Sequence, residues 1–237
     1  MIKKFRYILA AIVMVLAVGL SLAAQPALAQ AKAKKAEETA FSRRDYRLGI
    51  TLTEFKAIPH PDQQAWPNAY PVCSDEERAK DSRFDRANPP SRFVRADVIG
   101  CHFFYDSKSF GPSEAGLKIN DLSALTTFLF IKADGEAEPK LFWIVTEGPA
   151  GQYDEIMDAF TAAYGKPASK GNNTVQNRMG AAFQNTTTRW ENGISYIEAL
   201  RYGDNIQRFQ INYGFKPLMK VFNQRLAGGG SGDAKKL

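Results

Sequence analysis

Apolar positions along this chain switch twice between a helical period and a period of two. Residues 98–105, 125–132 and 140–146 are rich in aromatic and branched side chains, and so are residues 183–190, 194–202 and 206–213. Runs of this length and composition predict strands. The turns are legible too. Ala133-Asp134-Gly135 joins the second and third runs, while Glu191-Asn192-Gly193 and Gly203-Asp204-Asn205 separate the last three. Asp-Gly and Asn-Gly pairs tolerate the left-handed backbone that hairpins require.

Helical spacing precedes each set of strands. Thr51 with Glu54 three residues on reads as a capping box, and Ile50 with Phe55 as a hydrophobic staple. Pro59 and Pro61 end that helix early. The stronger pattern is Tyr153, Ile156, Met157, Phe160, Ala163 and Tyr164, introduced by Gly148-Pro149 and stopped by Gly165 and Pro167. Helix and three strands therefore occur twice. The expected fold is α+β: two tandem helix-plus-three-stranded antiparallel meander repeats, with the helices on one face of the sheet. The copies are residues 45–147, which carry a long Pro-rich insertion, and 148–226. The polar stretch 168–179 reads as a loop.

The chain ends read differently. Lys3, Lys4 and Arg6 precede an apolar run from Ile8 to Leu22, and Ala27-Leu28-Ala29 supplies a small-x-small cleavage pattern. Residues 1–29 thus read as a secretory signal peptide cut after Ala29, the run being shorter than the roughly 20 apolar residues a bilayer span asks for. Residues 30–44 read as a loose basic linker and 227–237, with their glycine run, as a loose tail. This apportions the net charge of +6. Three units leave with residues 1–29, a net three belong to 30–44 and one to the tail, so the body is one unit negative. A neutral body does not suggest nucleic-acid binding.

Cys73 and Cys101 are the only cysteines. In an exported protein a lone pair is normally a disulfide, here one that ties the Pro-rich insertion to a strand. Other chemistry is thin. His60 lies between two prolines and His102 follows Cys101. Cys73, Cys101 and His102 lack the paired spacing of a metal site, and Asp134, Glu136 and Glu138 lack the full ligand set of a calcium loop. Asp154, Glu155 and Asp158 suit the dipole of the second helix. No Gly-x-Ser-x-Gly elbow, phosphate-cradling loop or paired-histidine motif occurs. Neither catalytic residues nor a cofactor are expected.

Leu48-Gly49-Ile50-Thr51 with Glu54-Phe55, and Tyr164-Gly165-Lys166-Pro167 followed by Thr188-Arg189-Trp190-Glu191-Asn192-Gly193, carry a resemblance. They resemble small bacterial envelope modules related to the outer-membrane assembly lipoprotein BamE and to beta-lactamase inhibitor protein (the BLIP-like fold), in which short helices precede a meander. The resemblance covers most of residues 46–214. The chain departs from it in lacking a lipidation cysteine and in the insertion of the first copy.

In the second copy Ile197, Ala199, Phe209, Ile211 and Tyr213 alternate toward the helices, which leaves Arg189, Tyr196, Glu198, Leu200, Tyr202, Arg208 and Gln210 on the other face. Tyrosine and arginine together are what interfaces enrich for. Arg189, Tyr196, Glu198, Arg208 and Gln210 are the candidate partner-binding residues. In the first copy both faces are apolar, Leu129, Ile131, Trp143 and Val145 against Phe128, Phe130, Phe142 and Ile144, so the chain itself or a partner must cover both. The expected function is a periplasmic or secreted, non-enzymatic binding or envelope-assembly protein with a protein or cell-envelope partner. The alternatives are a small apolar ligand carrier and, further off, a hydrolase or metal enzyme.

Overall fold

A computed structural model describes the backbone of residues 38–233 and the side chains of 38–228. The expected signal peptide, residues 30–37 of the expected linker and the last four residues lie outside the described residues.

The two strand sets join into one antiparallel sheet. Its main path runs from β3 (Tyr70–Cys73) through β4 (Ile99–Ser107), β7 (Leu122–Ile131), β8 (Lys140–Pro149), β12 (Arg208–Phe215), β11 (Ser195–Leu200) and β10 (Ala182–Glu191) to β9 (Ser169–Gln176). With β5 (Gly111–Glu114) on β4 and β6 (Leu117–Ile119) on β7, the sheet has ten strands. The expected pair of helix-plus-three-strand repeats is therefore corrected. From Arg208 opposite Pro149 to Gly214 opposite Trp143, β12 pairs along β8, so hydrogen bonding is continuous across the supposed boundary. The second half also has four strands, because the polar stretch read as a loop is the edge strand β9.

Nor do the helices share one face. Helices α1 (Leu52–Ala57) and α3 (Tyr153–Tyr164) do lie together: Phe55, Ile156 and Phe160 pack in one core with Phe103, Phe128, Ile144, Ile197, Ile211 and Tyr213. The Thr51–Glu54 capping box forms, and Gly165 at φ +76° closes α3. On the opposite face, Phe93 of α2 (Ser91–Val94) and Leu218 and Phe222 of α4 (Lys216–Asp233) pack on Leu129, Ile131 and Phe142. Thus the chain itself covers one apolar face of its first half and most of the other, where Trp143 and Val145 stay half-buried. Helix α4 extends past residue 227, where the composition suggested a tail.

The insertion is folded against β3 and β4. Ala79, Phe84 and Ala87 bury Val72 and Phe104. Cys73 and Cys101 are register partners on those two strands and form a disulfide, S–S 2.04 Å. Residues 38–44 are likewise docked rather than loose: the Phe41 N–H donates to Ser195 Oγ at 3.0 Å, and Arg43 belongs to a hairpin of β1 (Ser42–Arg43) and β2 (Tyr46–Arg47).

Candidate functional site

Cover on the second face stops part-way along β7 and β8. Where it stops, a cleft of about 520 Å³ opens. Its floor is Thr127 and Leu129 of β7 with Trp143 and Val145 of β8, and its wall is the insertion, from Asp85 through Arg86, Pro89 and Pro90 to Phe93. Glu147, Gln210 and Asp204 form the far lip. The wall comes close because β4 has glycine at position 100: a Cβ there would sit 2.5 Å from the Ala87 carbonyl and 3.0 Å from the Pro89 ring. An apolar floor thus meets a charged rim. Arg86 spans the rim, with Nε 3.2 Å from Glu114 Oε1 and Nη1 3.8 Å from Glu147 Oε2.

The face then continues over β12, β11 and β10, with Asn212 buried and Lys216 of α4 paired with Glu191 at its far end. Strand alternation places Gln210 and Asn212 opposite Glu147 and Val145, Glu198 opposite Asn212, and Arg189 opposite Glu198. Arg189, Tyr196, Glu198, Arg208 and Gln210 consequently share this face, all half-buried. They are not free anchors, however. Arg189 bonds Glu191 (2.9 Å) and Glu198 (3.3 Å) and lies 4.0 Å over the Tyr196 ring. Gln210 donates to Asn212 Oδ1 at 2.9 Å. Arg208 stands 4.0 Å from Glu147, its Nε buried without a hydrogen-bond partner. The five candidate residues therefore fall into two groups: Arg208 and Gln210 beside the cleft, and Arg189, Tyr196 and Glu198 in a plate farther along the sheet.

Trp143 is the feature that sequence reasoning placed only generally. It is half-buried in the cleft floor, packs edge-on to Phe222 and at 5.5 Å from Phe93, and its indole Nε1 has no hydrogen-bond partner. The apolar character of both faces of β8 was its signal. Arg86 and Glu114 had no such signal, because they reach the cleft from the insertion and from β5.

Catalytic constellations do not assemble from the residues considered earlier. His102 is fully buried beside Phe104, and its pKa is pushed down to about 3, first by burial and then by Arg86, against the opposing Thr126 backbone. His60 is buried between Trp66 and Phe103 with its pKa lowered by the same main cause, and its Nδ1 accepts from the Asp62 N–H. Cys73 lies close to Asp75 and Glu76, but its sulfur is in the disulfide and Glu76 is paired with Lys56 and Arg78. Asp134 and Glu136 pair with Arg225 and Lys140. Among the described residues, no helix is long and apolar enough to cross a membrane.

No protein-family model, curated protein or solved structure matches the chain.

Proposed function

We propose that this chain is an exported, non-enzymatic binding or envelope-assembly protein whose partner, another exported protein or envelope component, lies on the uncovered half of the sheet. The observation that carries the reading is the end of cover part-way along β7 and β8, which leaves a half-buried tryptophan in a cleft beside a tyrosine- and arginine-bearing face. Partner surfaces concentrate binding in buried aromatic and arginine anchors with a polar rim around them. A partner side chain enters over Trp143 while its backbone or neighbouring groups spread over Gln210 and the Tyr196 plate. The Cys73–Cys101 bridge supports an oxidising compartment, and residues 1–29 fit an export leader, so the mature chain is expected to begin at Gln30.

A second reading has its own support. A volume of about 520 Å³ suits a small ligand, and the apolar floor suits an apolar one, which makes the chain a carrier. Photo-crosslinking separates the two. A benzophenone amino acid placed at Gln210 or at Tyr196, in cells making the full chain, is expected to trap one and the same protein, whereas the same group at exposed Glu155 on the outside of α3 traps none. Equal capture from all three positions, or none from any, would refute the protein-partner reading. Native mass spectrometry of the purified chain then tests the carrier.

A further inference from the structure

On the α3 side of the sheet, away from the cleft just described, Arg43 of β1 is only 5% exposed and makes no ion pair among the described residues. Its Nη2 donates to the carbonyls of Leu117 (2.9 Å) and Lys118 (3.0 Å), while its buried Nε has no partner. A guanidinium taken out of water normally finds a carboxylate, because two carbonyl oxygens do not replace the lost hydration of a full charge. The surrounding electrostatics agree: burial lowers the Arg43 pKa and Arg44 adds to that, while Tyr213, Tyr164 and the nearby Asp62, which Arg44 already engages, oppose it only in part.

Arg43 lines a second cleft, of about 470 Å³, together with Arg44 and Lys118. The Asn120–Asp121 turn and the face of α3 from Ala159 to Tyr164 complete it. Arg44 shares its charge with Asp62 at 3.6 Å. Lys118 makes no ion pair among the described residues, although its backbone N–H donates to that same Asp62. Three cations therefore converge on a space whose own lining offers one carboxylate, the exposed Asp121 at its lip.

We propose that this cleft is a binding site for a small oxyanion, a carboxylate or phosphate group, that supplies the counter-charge Arg43 lacks. A planar guanidinium with unused donors recognises such groups directly, and Lys118 adds an ammonium at the rim. Two features work against a highly charged ligand, namely Asp121 and the carbonyl end of α3, which closes at Tyr164 in the same wall. Both favour a single anionic group over a polyanion.

Titration of the whole chain with inorganic phosphate and, separately, with acetate, each at constant ionic strength against chloride, tests the site. Backbone amide shifts of Asn120, Asp121 and Ala163 are expected to saturate with at least one of them, and the tighter probe identifies phosphate or carboxylate as the preferred group. Lys118→Ala should weaken that probe by roughly threefold to tenfold and Asp121→Asn should tighten it, since each changes one charge at the rim. Both positions are at the surface, so neither variant depends on the fold tolerating loss of Arg43. Arg43→Met, if it folds, should abolish saturation. Shifts that never saturate, or affinities that are the same in the wild type, Lys118→Ala and Asp121→Asn, would overturn the proposal and leave Arg43 with a structural role alone.

Discussion

The guanidinium of Arg189 lies 4.0 Å from the ring centroid of Tyr196, and that ring in turn lies across Gly214, where any Cβ would collide with it. Three adjacent strands are thereby locked by one stack, with Glu198 and Glu191 holding the arginine from either side. Such a stack contributes about 0.5–1 kcal/mol at a partly exposed site. Arg189→Ala and Tyr196→Ala should each cost on the order of 1 kcal/mol in urea unfolding, and the double-mutant cycle should give a coupling of about 0.5–1 kcal/mol. Strictly additive single variants would mean that the contact contributes nothing. Because these substitutions act on the sheet, loss of partner binding in them counts only when it exceeds the stability change.

The disulfide joins residues 28 positions apart and fastens the edge strand β3 to β4. Closing a loop of this length removes roughly 3 to 4 kcal/mol of unfolded-chain entropy. Thiol titration of the denatured, unreduced chain should find no free sulfhydryl. Reduction should lower stability by about that amount, and should loosen the insertion that walls the cleft before it affects β10–β12. Hydrogen exchange would show that order; uniform loss of protection across the sheet would contradict it.

Local signals in the sequence were sufficient for the elements that bury one face. The Thr51–Glu54 box, the α3 periodicity and the six aromatic and branched strand runs each carry their own physical signature, and all of them form. What could not be read was how they join. Backbone pairing between β8 and β12 leaves no mark on side-chain pattern, because Trp143, Val145 and Glu147 alternate the same way whether they end a sheet or lie in the middle of one. The edge strand β9 was hidden for a related reason: almost wholly exposed, Ser169–Gln176 has no buried face to give it a period. Helix α4 lost its signal in the glycines of its own last turns, although Leu218 and Phe222, four residues apart, point at one core. Of the proposed binding surface, the alternation on β10–β12 was visible, but its self-pairing and the insertion wall depend on contacts distant in sequence.

Phe160 tests the core that both halves share. It is 5% exposed and meets Trp190 at 5.8 Å, Tyr164 at 5.4 Å and Tyr213 at 6.4 Å between ring centroids. Phe160→Ala leaves a cavity among large rings that have little room to collapse, so a loss of roughly 3 to 5 kcal/mol is expected in chemical denaturation. Partner binding should fall only in proportion to the unfolded fraction, since α3 lies on the side of the sheet opposite the Trp143 cleft. A loss of partner affinity in fully folded Phe160→Ala protein would move the interface to this side.

His102 makes the fold sensitive to acid in a predictable direction. Its ring is completely buried under the insertion, and its pKa of about 3 lies well below the 6.5 of an unperturbed histidine. Between those two values the unfolded chain binds a proton that the folded chain refuses, so stability rises with pH across that window and its full contribution is present only above about 6.5. His60, also lowered by burial, acts with the same sign. Going from about pH 7 to pH 5, a range still above most carboxylate titrations, His102 with its pKa of about 3 costs the fold roughly 2 kcal/mol. Urea unfolding at several pH values should show that loss. His102→Leu removes this titrating group while filling much the same apolar space beside Phe104, and should therefore remove roughly 2 kcal/mol of the change between pH 7 and pH 5 even if the stability at neutral pH changes little. A slope identical in wild type and His102→Leu would show that the folded protein takes up the proton at this position, by opening the insertion or by admitting water to the ring.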